Sequence, residues 1–187
     1  MRIIGGTLSG RVIKAPAGKT TRPMLDRIRQ ALFNIIEHHD WESIGDPLTG
    51  ADVLDAFCGT GALAFESLSR GAERAILFDT DREAIKAAAA NAEVLGVKPH
   101  CQIVSADATR PPKASYKCRL VFAAPPYRKH LIAPALAACD DAGWIAKDAL
   151  IVCETAKKEP LELPDNFAPV FSRFYGDTAL HFVLRQR

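Results

Sequence analysis

The sequence predicts an α/β fold, a mainly parallel sheet covered by helices on both faces, and three observations carry that prediction. From residue 51 onward, apolar strand-like runs alternate with helix-like segments. Several of the helical segments stop at a glycine, as at Gly71 and Gly96. The chain closes on two β-like runs around Gly176-Asp177, a hairpin signal that places at least one antiparallel strand in the sheet. Alternation of this kind builds parallel strands joined by crossover helices.

Taken in order, "RIIGG" and "GRVIKAP" are short β-like runs around a Gly/Ser turn, which reads as an N-terminal hairpin. In "TTRPMLDRIRQALFNIIEHH", Leu25, Ile28, Leu32, Ile35 and Ile36 recur at helical spacing. Arg27, Arg29, Gln30 and Asn34 fall mostly elsewhere around that wheel, and Pro23 suits the first turn. "ADVLDAFC" reads as a strand and "GTGALAFESLSRG" as a glycine turn entering a helix. "RAILFDTD" is a second strand, followed by the Ala-rich helix "REAIKAAAANAEVLG", whose alanines simply favour helix. "HCQIVSAD" and "CRLVFAA" are the third and fourth strands. "KHLIAPALAACDDAG" is helical, with Pro134 expected to start it late or kink it, and "ALIVCETA" is the fifth strand. "APVFSRFY" and "TALHFVLRQ" form the closing hairpin.

A length of 187 residues with 48% hydrophobic and 25% charged content fits one domain over 1–187, with 1–40 as a hairpin and helix extension. No apolar run approaches the ~18 residues that a membrane span needs, and "MRIIGGTLSGRVIK" lacks the apolar centre of a secretory signal. Five scattered cysteines without a C-x-x-C pair read as free thiols in a reducing cytoplasm, and no structural metal is expected. Charge is unevenly placed. Residues 1–30 hold seven Lys/Arg (Arg2, Arg11, Lys14, Lys19, Arg22, Arg27, Arg29) against Asp26 alone, whereas the whole chain nets only +2. A basic arm on a mildly acidic body suggests a polyanionic partner; a solvated tail is the competing reading.

Ligands of such sheets sit at the carboxyl ends of the strands. The unusual residues fall there: Asp55 to Gly61, Asp79, Asp107, and Ala124 to Tyr127. Gly59-x-Gly61 permits close backbone approach to a ligand at a helix N-terminus. With Ala64 and Asp79 it also fits the dinucleotide fingerprint, so a nicotinamide or flavin site is one reading. Asp55 favours another. A carboxylate beneath the turn is awkward beside a pyrophosphate but favourable beside the ammonium of S-adenosylmethionine. Asp79 then takes the ribose hydroxyls. Asp107 lies near the adenine amino group, or else is an ordinary helix N-cap or turn Asp. The candidate cofactor set is Asp55, Phe57, Cys58, Gly59, Thr60 and Gly61, with Asp79, Thr80, Asp107 and Ala108.

"LVFAAPPYRK" ends the fourth strand in a rigid Pro125-Pro126 turn that presents carbonyls to a pocket, and Tyr127 offers a ring on which a base can stack. Methyl transfer to an exocyclic amine needs positioning and acceptors for the amine hydrogens. The Pro125 carbonyl is one acceptor. The preceding side chain is the usual other, and here it is Ala124.

Together "MRIIGGTLSGRVIKAP", "TRPMLDRIRQALFNII", "DAFCGTGALAFESLSRGA", "FDTDREAI", "APPY" and "YGDTAL" resemble the bacterial 16S rRNA guanine-N2 methyltransferases over nearly the whole chain. The resemblance implies a three-layer sandwich around a mainly parallel, seven-stranded, Rossmann-like methyltransferase sheet, with a C-terminal antiparallel hairpin and an N-terminal β-hairpin plus helix. It implies S-adenosyl-L-methionine as cofactor and 16S rRNA as partner, within a small ribosomal subunit or assembly intermediate. Arg22 and Pro23 match a segment near the cofactor, and Arg27 matches one near the substrate. Ala124, Pro125, Pro126 and Tyr127 occupy the catalytic segment. Arg11, Lys14, Lys19, Arg128 and Lys129 complete the expected RNA contacts. Asp79 stands where this family commonly has Glu, and Ala124 where it has Asp. Losing that acceptor costs ~1–3 kcal/mol, or roughly tenfold to a few hundredfold in rate. A non-catalytic RNA-binding assembly factor and a DNA adenine-N6 methyltransferase are the other readings.

Overall fold

The computed structural model describes residues 1–15 and 24–186. Seven strands form one sheet: β1 (Asp52–Asp55), β2 (Arg74–Asp79), β3 (Cys101–Ser105), β4 (Cys118–Ala123), β5 (Ile145–Ala156), β6 (Phe167–Tyr175) and β7 (Thr178–Arg185). Their order is β3-β2-β1-β4-β5-β7-β6. The first five are parallel, and β7 enters antiparallel between β5 and β6. The two-residue loop at Gly176-Asp177 closes the last hairpin, with Tyr175 opposite Thr178 and Gly176 at φ 59°.

Helices α1 (Asp26–His38), α2 (Ala62–Ser69) and α3 (Arg82–Leu95) cover one face, and α4 (Ile132–Asp141) covers the other. Ile28, Leu32, Phe33 and Ile36 of α1 pack with Val53, Phe122 and Leu180, as the helical spacing requires. On the opposite face, Ile132, Ala135 and Leu136 of α4 meet Val121, Ile151 and Val183. Pro134 is the third residue of α4, where its missing N–H would have no helical partner, so the helix starts late and Pro134 needs no kink.

The N-terminal hairpin pairs through one bridge, Arg2 with Val12, the Ile3 and Ile13 N–H groups donating to the Arg11 and Met1 carbonyls at 2.9 and 3.0 Å, with a 3-10 turn at Gly6–Leu8 between the arms. Two other N-terminal expectations change. Helix α1 begins at Asp26 rather than around Pro23, since Leu25 already has extended backbone (φ −61°, ψ 142°). Pro23 itself, like Lys19 and Arg22, lies outside the described residues. Arg29, expected away from the apolar stripe, is fully buried. It bonds the Arg2 carbonyl and Asp26, and its Nε lies 3.6 Å from Glu66 of α2. Glu66 in turn accepts from the Ile4 and Gly5 N–H groups at 2.9 and 2.7 Å. These charges fix the arm onto the helix that follows the glycine turn. Among the described residues no helix is long and apolar enough to cross a membrane.

Candidate functional site

The sheet order reverses between β1 and β4, and a crevice outside the carboxyl ends of strands at such a switch point is where open α/β sheets bind ligands. Both sequence motifs arrive there. Asp55, the last residue of β1, pairs with Leu77 of β2 on one side and Phe122 of β4 on the other. The chain then turns tightly: the Ala56 N–H donates to the Phe122 carbonyl at 3.0 Å and the Cys58 N–H to the Phe78 carbonyl at 2.8 Å. Gly59 (φ 51°) and Gly61 (φ 80°) both take left-handed backbone. At Gly61 a Cβ would sit 2.4 Å from the Phe65 ring and 2.9 Å from Leu77, so only glycine fits. The residue that precedes α2 is Gly61, which has no side chain with which to cap it.

Asp55 is buried, and its Oδ1 has no hydrogen-bond partner. Burial, with Asp79 adding repulsion, pushes its carboxyl up to about 7, against a smaller pull from the Phe57 and Ala64 N–H groups. A buried, unpaired carboxylate oxygen is costly unless a donor or cation meets it. The ammonium of S-adenosylmethionine supplies both, so the residues fit that cofactor; a second anion from a pyrophosphate would aggravate the repulsion. Cys58 is held as the neutral thiol, pushed well up by burial and by Asp55 and Asp79, which removes it as a nucleophile.

Asp79, at the end of β2, accepts from the Gly59 N–H at 2.8 Å and from the Asp81 N–H at 2.9 Å. It therefore shapes the glycine turn directly. An ionised carboxylate has about four acceptor positions, so capacity for a diol remains. Thr60 and Ala108 are buried, Phe57 is half-buried and Thr80 is exposed. Asp107 closes a local turn after β3 and caps no helix. It accepts from the Thr109 hydroxyl at 2.7 Å and N–H at 2.9 Å, contacts that hold its carboxyl below the usual range.

Across the switch point, β4 ends at Ala123 and the chain enters Ala124-Pro125-Pro126-Tyr127. Pro125 is buried, Ala124 and Tyr127 half-buried, Pro126 exposed. The Tyr127 hydroxyl donates to Glu154 Oε1 at 2.5 Å and lies 3.0 Å from the Thr178 hydroxyl. Arg128 (φ 60°) and His130 (φ 51°) take left-handed backbone, and Arg128 N–H donates to Glu159 at 2.8 Å. Arg128 and Lys129 are exposed. Pro125, Pro126, Tyr127 and Glu154 share a pocket with Glu159 and Glu162. Glu154 was not singled out by the sequence, where it is one acid in an apolar strand.

Of the basic candidates, Arg11, Lys14 and Arg27 are exposed on the arm and α1. Arg11 reaches the Leu95 carbonyl at 3.2 Å. The Lys14 backbone is gripped by Asn91 of α3: Oδ1 accepts its N–H at 2.8 Å, and Nδ2 donates to its carbonyl at 2.9 Å and to the Thr60 carbonyl at 3.1 Å. Asn91, hidden among alanines in the sequence, thus joins the arm to the cofactor turn. Among the described residues no group of three or more His, Cys, Asp or Glu is placed to hold a metal ion.

Comparison with known proteins agrees with this geometry. The chain is 31% identical over 188 residues to Ribosomal RNA small subunit methyltransferase D of Escherichia coli K12, covering 100% of this chain and 90% of that one. YlbH of Bacillus subtilis, whose name assigns it provisionally to the rRNA methyltransferases, is 35% identical over 169 residues, 88% of this chain and 86% of that one. The solved structure of yhhF from Escherichia coli superposes with a TM-score of 0.83 at 31% identity, covering 100% of this chain and 98% of that one. With residues 1–184 matching its model, the chain belongs to the family described as Conserved hypothetical protein 95, on a Rossmann-like methyltransferase fold.

Proposed function

We propose that this chain methylates the exocyclic N2 amino group of a guanine in 16S rRNA, using S-adenosylmethionine, on a small ribosomal subunit or an assembly intermediate of it. The observation that carries the proposal is the buried, partnerless Asp55 oxygen beside the glycine turn, one strand away from the Pro125-Pro126-Tyr127 segment. The names of the relatives, an rRNA methyltransferase in one case and an rRNA small-subunit methyltransferase in the other, support the substrate class. When bound, the cofactor would supply an electrophilic methyl group and leave as the neutral thioether, while the amine would give up one N–H proton.

The residues divide this work. Asp55 takes the ammonium, and Asp79 takes the ribose diol while holding Gly59. The Pro125 carbonyl accepts an amine hydrogen, and Tyr127 stacks on the base. Arg11, Lys14, Arg27, Arg128 and Lys129 bring exposed positive charge to RNA phosphates. Lys19, Arg22 and Pro23 are assigned to the same arm by sequence alone.

The test is titration with S-adenosylmethionine and with NAD, then mass spectrometry of nucleosides from undermethylated small subunits. Binding of S-adenosylmethionine and formation of N2-methylguanosine are expected. NAD binding without S-adenosylmethionine binding refutes the cofactor assignment, and N6-methyladenine as product refutes the base. Ala124 favours one second reading, a non-catalytic assembly factor. Measurable turnover by the wild type eliminates it; turnover only in Ala124→Asp supports it.

A further inference from the structure

We propose that Glu154 supplies, from the neighbouring strand, the carboxylate that position 124 lacks, accepting hydrogens from the guanine edge; this rests on the guanine reading above. The sheet register brings the two positions together. Ala123, the last residue of β4, pairs with Cys153 of β5 in a parallel ladder. The residues that follow this pair are Ala124, just past the end of β4, and Glu154, still within β5. β5 continues to Ala156, so Glu154 stands beside the reaction loop where β4 has already ended.

Three further features suit the role. Glu154 lines the pocket that Pro125, Pro126 and Tyr127 also line, so its side of the pocket is shared with the base-stacking ring. The Tyr127 hydroxyl at 2.5 Å from Oε1 orients the carboxylate. A carboxylate oxygen accepts more than one hydrogen bond, so this contact is compatible with a second donor. The chemistry also selects the base. Guanine presents its N1–H and its 2-amino group side by side, two donors that match a carboxylate. Adenine sets its 6-amino donor beside the N1 lone pair, which a carboxylate repels. Glu154 is therefore both an acceptor for the reacting amine and a guanine-selecting residue.

The experiment compares wild type, E154Q, A124D and A124D/E154Q on undermethylated small ribosomal subunits, identifying the methylated nucleoside in each case. E154Q should lower kcat by ~10–100-fold, the effect of losing one charged acceptor in the transition state, with S-adenosylmethionine affinity unchanged. A124D should restore the E154Q enzyme. A second readout needs no turnover. Protein saturated with S-adenosylhomocysteine is titrated with guanosine and inosine monophosphates, which differ in the 2-amino group. Wild type should prefer the guanosine ligand roughly tenfold, as for one hydrogen bond to a charged group, and E154Q should lose that preference. Wild-type rates or base preference in E154Q overturn the role of Glu154 while leaving guanine methylation intact. Loss of activity that A124D does not restore, matched by Y127F, makes Glu154 a mere anchor for Tyr127 and also overturns it. A silent wild type beside an active A124D overturns it too. A product other than N2-methylguanosine, or silence in both, removes the substrate reading and this inference with it.

Discussion

Replacing Asp55 by Asn should change how stability and cofactor binding depend on pH. In the folded chain burial and Asp79 raise the Asp55 carboxyl from 3.8 to about 7. The folded state therefore holds this proton more tightly than the unfolded state. Stability falls as pH rises from about 4, and the loss levels off above about 7, where both states are ionised. At 1.36 kcal/mol per pKa unit, a rise of about three units amounts to ~4 kcal/mol, an upper figure for one buried carboxyl. The Asn variant has no such titration. Its stability relative to wild type should improve by up to ~4 kcal/mol between pH 4 and 8, whatever the constant cost of placing an amide beside the Phe57 and Ala64 N–H groups. Urea unfolding of both proteins at intervals across that range measures the difference. Calorimetric titration with S-adenosylhomocysteine gives the complementary trend. Wild-type affinity should rise from pH 5.5 to 7.5 as the carboxylate forms, whereas the variant should bind weakly and without slope. A stability gap that stays within ~1 kcal/mol across the range would refute the raised carboxyl. Equal affinity slopes would refute its contact with the ammonium.

Gly61→Ala should cost ~2–4 kcal/mol in thermal or urea unfolding, from left-handed backbone plus overpacking against Phe65 and Leu77, and cofactor affinity should fall with it. Asn91→Leu removes three hydrogen bonds that join the arm to the glycine turn. We expect ~2–3 kcal/mol lower stability, faster amide exchange at Lys14, and weaker cofactor binding through Thr60; protection at Lys14 equal to wild type would count against the linkage. If Arg11, Lys14 and Lys19 meet phosphate, the triple Ala variant should flatten the dependence of RNA affinity on salt by up to about three units of slope, whereas an unchanged slope identifies a solvated tail.

Much of the fold was legible because each signal was local. The seven strand runs, the glycine turn after β1 and the Gly176-Asp177 hairpin all appear where their residues place them. What could not be read was contact between distant segments. Arg29 looked like a surface residue because its position on the α1 wheel says nothing of Glu66 on α2, which draws its guanidinium inside. Asn91 goes unmarked in an Ala-rich helix, yet its amide spans 77 residues to Lys14. A lone amide in an Ala-rich helix was the available clue, since alanines permit close approach and the amide then requires partners. Asp107 had two readings from sequence. The contacts to Thr109 show the turn, which needs the folded chain to be seen.

Position 124 can lose its polar side chain without losing the turn because other groups hold that turn. Pro125 and Pro126 fix their own backbone angles. Arg128 and His130 sit in left-handed conformations that non-glycine residues rarely keep unless their surroundings impose them. Here the imposing contacts include the Glu159 carboxylate on the Arg128 N–H and the Glu154 and Thr178 partners of Tyr127. None of these contacts involves the side chain of residue 124. On the cofactor side, Asp55, Gly59 and Asp79 are held by β1, its neighbours β2 and β4, and the start of α2, none of them through the side chain of residue 124. Binding of the cofactor, shape of the reaction loop and acceptance of the amine hydrogens are thus separable properties of the site. In the proposed reaction Ala124 withholds a contribution only from the last, and Glu154 on β5 is the residue proposed to provide it.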